Sequence, residues 1–166
     1  GLTGRELGER LRERDLSAAP AVLNLVESLT EIDRAQTAEL LAAVAPAALG
    51  GEARAQIVGV TGPPGVGKSS LLSQLLAVWR ARDRSVAVLA VDPSSRRSGG
   101  SLLGDRARIE RDPADASVFI RSTAAGNRLG GLAPATRAAA AALACAFDVV
   151  VIETVGVGQS ETEVAD

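Results

Sequence analysis

The run Gly62-Pro63-Pro64-Gly65-Val66-Gly67-Lys68-Ser69 constrains this chain more than any other feature. It matches G-x-x-x-x-G-K-[ST] at every fixed position. An apolar stretch, Ile57 to Thr61, stands directly before it, and a stretch with helical spacing follows directly. The order is therefore strand, glycine loop, helix. Glycines allow the loop to turn its backbone N–H groups inward around an anion. The N-terminus of the following helix adds about half a positive charge at the same place. Gly62, Pro63, Pro64, Gly65, Val66, Gly67, Lys68, Ser69 and Ser70 are accordingly the candidate phosphate-binding residues.

The cation in that run is unusual for this chain. Of 18 Lys+Arg residues, Lys68 is the single lysine and seventeen are arginine. A lysine ammonium is a compact, flexible point charge that can reach between terminal phosphates. An arginine fork is bulkier and rigid, and so a poor substitute there. The Ser69 hydroxyl can serve a Mg²⁺ ion.

Downstream, short β-rich runs alternate with helical ones. Val86 to Val91 and Val149 to Ile152 are apolar without polar alternation, as expected of strands covered on both faces. Val118 to Ile120 reads as a further short strand. Lys68 to Ala81 reads as a helix with Leu71, Leu72, Leu75, Leu76 and Trp79 inward, and Pro134 to Ala146 as an alanine-rich helix. Such alternation predicts an α/β fold, a mostly parallel sheet with helices on both faces. Ligands of such sheets sit at the carboxyl ends of the strands.

Residues 1–55 read as a helical N-terminal extension, and 56–166 as the nucleotide-binding domain. In the extension, Leu7 and Leu11 form a short amphipathic turn. Ser17 is expected to cap a second helix with Val22, Leu25, Val26 and Leu29 on one face. Asp33 is expected to cap a third helix, bearing Leu40, Leu41 and Val44 and stopped near Pro46.

Carboxylates at strand ends mark the remaining candidates. Glu153 closes the run Val149 to Ile152 and precedes Gly156 by three; an acid there can hold Mg²⁺ directly or through water. Asp92 closes Val86 to Val91 and can orient an attacking water or a Mg²⁺-bound one, or simply be a turn aspartate before Pro93. Asp105 lies in a Gly/Ser/Arg-rich stretch, 94–111, that reads either as a switch loop or as a solvated helix start. Gly156 can bind a terminal phosphate through its N–H. Gln159 can position a water or be a surface loop residue. Lys68, Asp92, Asp105 and Glu153 are the candidate catalytic residues; Ser69, Asp92, Asp105 and Glu153 are the candidate metal ligands.

Composition removes other classes. The 46% hydrophobic content suits a globular chain. No apolar run reaches the ~18 residues that span a bilayer, so no membrane role is expected. A formal charge of −2 gives no footprint for nucleic acid. No histidine is present, which excludes histidine-based catalysis and metal cages. One cysteine, Cys145, excludes an intrachain disulfide framework and points to a reducing, cytoplasmic setting. The absence of methionine and the start at Gly1 suggest that residue 1 is not the natural first residue.

The segments V-T-G-P-P-G-V-G-K-S-S, V-A-V-L-A-V-D-P-S-S, S-G-G-S-L-L-G-D-R, L-G-G-L and E-T-V-G-V-G-Q-S-E resemble the MeaB/MMAA family of P-loop GTPases, also known as ArgK. The resemblance is specific from Ile57 to Asp166. It implies a P-loop NTPase fold, GTP/GDP and Mg²⁺ as ligands, and a homodimeric GTPase that chaperones adenosylcobalamin-dependent methylmalonyl-CoA mutase. It makes 62–70 the phosphate loop, and Ser69, Asp92, Asp105 and Glu153 the shell of Mg²⁺ and its waters. It assigns 94–105 to a first switch and 156–163 to a second. Thr123 stands where the family usually has Met, and Asn127-Arg128 where it has a Gly-His pair. The family continues well beyond this length, so the C-terminal part of the family fold, with the Asn-Lys-x-Asp motif that selects guanine, is missing here. An uncovered sheet edge and uncovered apolar helix faces are expected to result. The alternatives are a P-loop kinase or ATPase linked to amino-acid transport, and a nickel-insertion GTPase. The shortage of His and Cys argues against the last.

Overall fold

The structure is a computed structural model that describes residues 1–46, 48–50, 55–63, 67–92, 109–124 and 133–155. Three helices come first: α1 (Gly4–Arg12), α2 (Ala19–Glu27) and α3 (Glu31–Val44). Then follow β1 (Gln56–Gly62), α4 (Lys68–Ala81), β2 (Val86–Asp92), β3 (Val118–Ala124), α5 (Pro134–Leu143) and β4 (Val149–Val155). The four strands form one parallel sheet in the order β1-β4-β2-β3. Each strand has seven residues and runs past its apolar stretch, so Gly62, Asp92 and Glu153 all lie within strand ends.

Local chemistry explains the helix boundaries. α1 starts with a capping box: the Thr3 hydroxyl accepts the Glu6 N–H and the Glu6 carboxylate accepts the Thr3 N–H. The caps of the next two helices differ from expectation. Asp15, not Ser17, is the acceptor before α2; it takes the Ser17 N–H in a short 3-10 turn, and Pro20 sits in the first turn of α2. Thr30, not Asp33, caps α3, because the Thr30 hydroxyl accepts the Asp33 N–H. Since α2 ends at Glu27, Leu29 falls outside it and is 81% exposed. Gly4 and Gly8 let α1 lie directly on α3: a Cβ on Gly4 would stand 1.8 Å from the Gln36 carbonyl oxygen.

The sheet divides two cores. Ala87, Leu89, Val91, Val150 and Ile152 point to one side. There they join Leu143 and Phe147 with Leu7, Leu11, Val22, Leu23 and Leu40 of the N-terminal helices. On the other side Val60, Val86, Val88, Val149 and Val151 meet Leu72 and Leu76 of α4, with Ile109 and the partly buried Trp79. Helices therefore cover both faces, and β2 from Val86 to Val91 and β4 from Val149 to Ile152 are apolar because each face of each is packed.

β1 is less covered than β2 and β4. It is an edge strand among the described residues, and Ile57 is 54% exposed. On α4, Leu72 is fully buried while Leu71, expected inward, is 48% exposed. The helix has two apolar stripes and the described chain covers one.

Polar ties fix the N-terminal helices to the sheet. The Arg14 guanidinium donates to Asp148 Oδ1, and Asp148 Oδ2 accepts the Ser85 N–H at 2.8 Å, so α1, β2 and β4 meet at the amino ends of the strands. Partial burial pushes the Asp148 carboxyl up, but the Ser85 N–H and Arg14 outweigh it and hold the group below the usual carboxylate range. Arg121 of β3 reaches Asn24 Oδ1 at 2.9 Å and Glu27 at 3.3 Å on α2. Arg80 donates to Asp115 at 2.7 Å and joins the end of α4 to the chain before β3.

Candidate functional site

The site forms where β1, β4 and α4 converge at the carboxyl end of the sheet. Gly62 ends β1, paired with Val155. Gly67 enters α4 with φ +89, in the left-handed region, and a Cβ there would have open space around it. Its glycine thus answers a conformational need, since other residues resist positive φ. Lys68 is the first residue of α4, directly after that turn.

The Lys68 ammonium does not point to bulk water. Nζ donates to the backbone oxygen of Thr154 at 2.9 Å and lies 3.9 Å from Glu153 Oε1. Only 10% of the lysine side chain and 7% of the glutamate side chain are exposed. Glu153 faces α4, because it alternates with Val149 and Val151, whose side chains pack under Leu72 and Leu76. In the sheet it sits between Val60 of β1 and Ala90 of β2. The strand-end acid and the loop lysine, 85 positions apart, thus form one buried pair.

Ser69 is half-buried in the first turn of α4, and Ser70 is exposed. The Ser69 carbonyl accepts from the Ser73 hydroxyl at 2.8 Å, and Ser73 Oγ in turn accepts the Glu110 N–H at 2.8 Å. Glu110 follows Ile109, which is buried against α4. Ser73 therefore ties Glu110 to the turn bearing Ser69. Two of these contacts escape sequence reading. The Thr154 carbonyl has no sequence signature. Ser73 has a weak one, a small polar residue four positions after Ser69 within an apolar helix.

Asp92 ends β2 and pairs with Ala124, one step beyond the Val91–Thr154 pair, so its backbone lies at the same end of the sheet as Glu153. Pro63 directly follows β1 and is exposed. Pro64, Gly65, Val66, Asp105, Gly156 and Gln159 lie outside the described residues, as do both stretches expected to be switches.

The donor set suits Mg²⁺ held partly by substrate. No group of three or more His, Cys, Asp or Glu side chains gathers among the described residues. A cage made wholly of protein side chains is not formed there. One carboxylate and one hydroxyl beside a glycine turn are a donor set that Mg²⁺ would use if phosphates and water completed its shell. No helix among the described residues is long and apolar enough to cross a membrane.

Comparison with known proteins bears on the family and the fold. The family described as methylmalonyl Co-A mutase-associated GTPase MeaB matches residues 16–166. The GTPase ArgK of Escherichia coli is 42% identical over 159 residues, covering 94% of this chain and 46% of its own length. The mitochondrial methylmalonic aciduria type A homolog of Caenorhabditis elegans is 37% identical over 170 residues, covering 98% of this chain and 43% of its own. Among solved structures, that of a LAO/AO transport system kinase superposes with a TM-score of 0.67 at 34% identity, covering 96% of this chain and 45% of that one. The chain spans about half the length of the curated relatives it matches. With a P-loop fold, a lysine–glutamate pair at the strand ends and a match over nearly its whole length, the chain belongs to the MeaB family of methylmalonyl-CoA mutase-associated GTPases.

Proposed function

We propose that this chain is the nucleotide-binding half of a GTP-hydrolysing protein that assists an adenosylcobalamin-dependent methylmalonyl-CoA mutase in cofactor loading and protection. The single observation that carries the reading is the position of Lys68, at the N-terminus of α4 after a left-handed glycine and beside the strand-end Glu153. In this reading the 62–70 loop binds the phosphates of GTP through backbone N–H groups and the α4 N-terminus. Lys68 moves onto the β- and γ-phosphate oxygens and stabilises charge that builds as water attacks phosphorus in line and the bond to GDP breaks. Ser69 and Glu153, with Asp92 and Asp105, would hold Mg²⁺ and its waters. When bound, Mg²⁺ supplies positive charge at the β- and γ-phosphate oxygens. Gly156 and Gln159 would serve the γ-phosphate and the attacking water. The helices of 1–55 would be a layer packed on this domain, and the full-length protein a cytoplasmic homodimer. The family description and the name of the C. elegans relative support the mutase partner.

The test is binding and turnover of labelled GTP and ATP by the full-length protein, which would carry the guanine-selecting motif expected beyond this chain, with and without a methylmalonyl-CoA mutase. The expected result is guanine selectivity, phosphate released to water, and faster turnover with the mutase. Transfer of the label to an acceptor would replace the GTPase reading with a kinase; indifference to the mutase would remove that partner.

A further inference from the structure

The Lys68 contacts carry a consequence for how the site handles its metal. We propose that Glu153 competes with nucleotide phosphate for the Lys68 ammonium, and thereby sets how strongly nucleotide binding depends on Mg²⁺. The inference rests on the reading that nucleotide binds at this loop.

Lys68 Nζ is held on β4 by two adjacent residues: the Thr154 carbonyl at 2.9 Å and the Glu153 carboxylate at 3.9 Å. Both side chains are about nine-tenths buried. A buried carboxylate deprived of its cation is costly, because little water reaches it to replace the lost partner. A phosphate that draws Lys68 away therefore sets two penalties on Glu153: the loss of the Lys68 charge beside it and repulsion from the incoming anion. The Thr154 carbonyl resists the move as well, since it loses a charge-assisted hydrogen bond in a dry setting.

Residues Ser69 and Glu153 would together hold a divalent cation, whose charge would offset both penalties and leave the Lys68 ammonium free for phosphate. One lysine and one glutamate thus make metal-free nucleotide binding unfavourable while leaving the metal-bound form balanced in charge. A carboxylate acting only as a metal ligand would weaken Mg²⁺-dependent binding when neutralised, but it would leave the reactivity of the Lys68 amine unchanged. Competition predicts that metal-free affinity and the reactivity of Lys68 rise together.

The discriminating experiment is equilibrium binding of a fluorescent GDP to the full chain and to Glu153→Gln, in Mg²⁺ and in excess chelator. In chelator the variant is expected to bind about tenfold tighter than the natural chain, equivalent to about 1.4 kcal/mol. In Mg²⁺ it is expected to bind more weakly, so the ratio of the two affinities shrinks. Equal or weaker metal-free binding by Glu153→Gln, with the natural chain binding GDP normally, overturns the proposal and leaves the nucleotide site standing. Failure of the natural chain to bind guanine nucleotide under either condition overturns the site reading itself.

A second measurement is independent of nucleotide. Lys68 is the chain's lone lysine, so the rate at which an amine-reactive reagent labels the peptide containing it reports directly on that ammonium. Labelling is expected to quicken in Glu153→Gln; an unchanged rate shows that Glu153 does not hold Lys68 and overturns the proposal. Should Gln fail to fold, Glu153→Asp, which retracts the carboxylate by one methylene, is expected to move both readouts in the same direction by less. No movement in either readout would again overturn it.

Discussion

The two faces of the sheet are built from the same strands and serve different ends. On one face, Leu89, Val150 and Ile152 pack with α5 and the three N-terminal helices in an apolar cluster. On the other, the α4 face, the apolar cluster is smaller and ends in the buried Lys68–Glu153 pair at the strand tips. One strand shows the contrast within consecutive residues: Ile152 of β4 points into the large core and Glu153 into the site. A dry, well-packed face holds the strand ends still. The opposite face can then keep two charges and a left-handed glycine turn, features that add little stability but suit anion binding.

Substitutions can break or sharpen this contrast. The largest effect is expected at Lys68→Ala, which should lower GTP turnover by ~100-fold or more, measured as phosphate release, since one preorganised donor to the developing charge is typically worth that much. Lys68→Arg should not restore it. Turnover near the natural rate in Lys68→Ala would erase the chemical side of the comparison.

Next comes Leu143→Ala on the closed face. Leu143 is fully buried, and its truncation should cost about 2–5 kcal/mol in denaturant unfolding. A cost below about 1 kcal/mol would mean that the helical layer is loosely attached and that the two faces do not differ in packing.

Acid should act at the ties outside the site. The carboxyls of Asp148 and Asp115 are held below the ordinary 3.8, the first by Ser85 and Arg14 against its burial, the second chiefly by the Arg80 hydrogen bond. Groups with lowered folded values stabilise the fold above the unfolded value and lose that contribution as pH falls through the folded one. The melting temperature should therefore be flat from neutral pH down to about 5, then fall below about 4. Asp148→Asn should flatten part of that decline, and an unchanged acid profile in this variant would show that the Arg14 tie contributes nothing. Both aspartates are partly exposed, so each effect is small.

The smallest effect is expected at Leu71→Ser. Leu71 neighbours the fully buried Leu72, yet its exposure predicts a change within about 0.5 kcal/mol, against about 2–5 kcal/mol for Leu72→Ala. Equal costs at the two positions would show that the outer stripe of α4 is covered in the full protein.

Much of the fold could be read from the chain because its signals are local. The helix at 68–81 has the expected bounds. The strands at 86, 118 and 149 begin where their apolar runs begin. Errors arose where two neighbouring residues compete for one role. Thr30 and Asp33 both suit a helix start, and the hydroxyl that reaches the N–H three residues on takes the cap. Leu29 keeps helical spacing with Val22 and Val26, but the chain leaves the helix at Ser28, and spacing alone does not reveal a stop without glycine or proline.

The sequence by itself determined the glycine turn into α4, the parallel α/β architecture and the strand-end position of Glu153, because each depends on residues adjacent in the chain: a glycine that tolerates positive φ, an apolar period, an acid after a buried run. Tertiary structure alone decided that β1 lies at an edge among the described strands while β4 lies inside the sheet. It alone joined Lys68 to Glu153 and to a backbone oxygen of Thr154. Burial and charge pairing depend on what arrives from elsewhere in the chain, and a main-chain carbonyl is present at every position until the fold selects one.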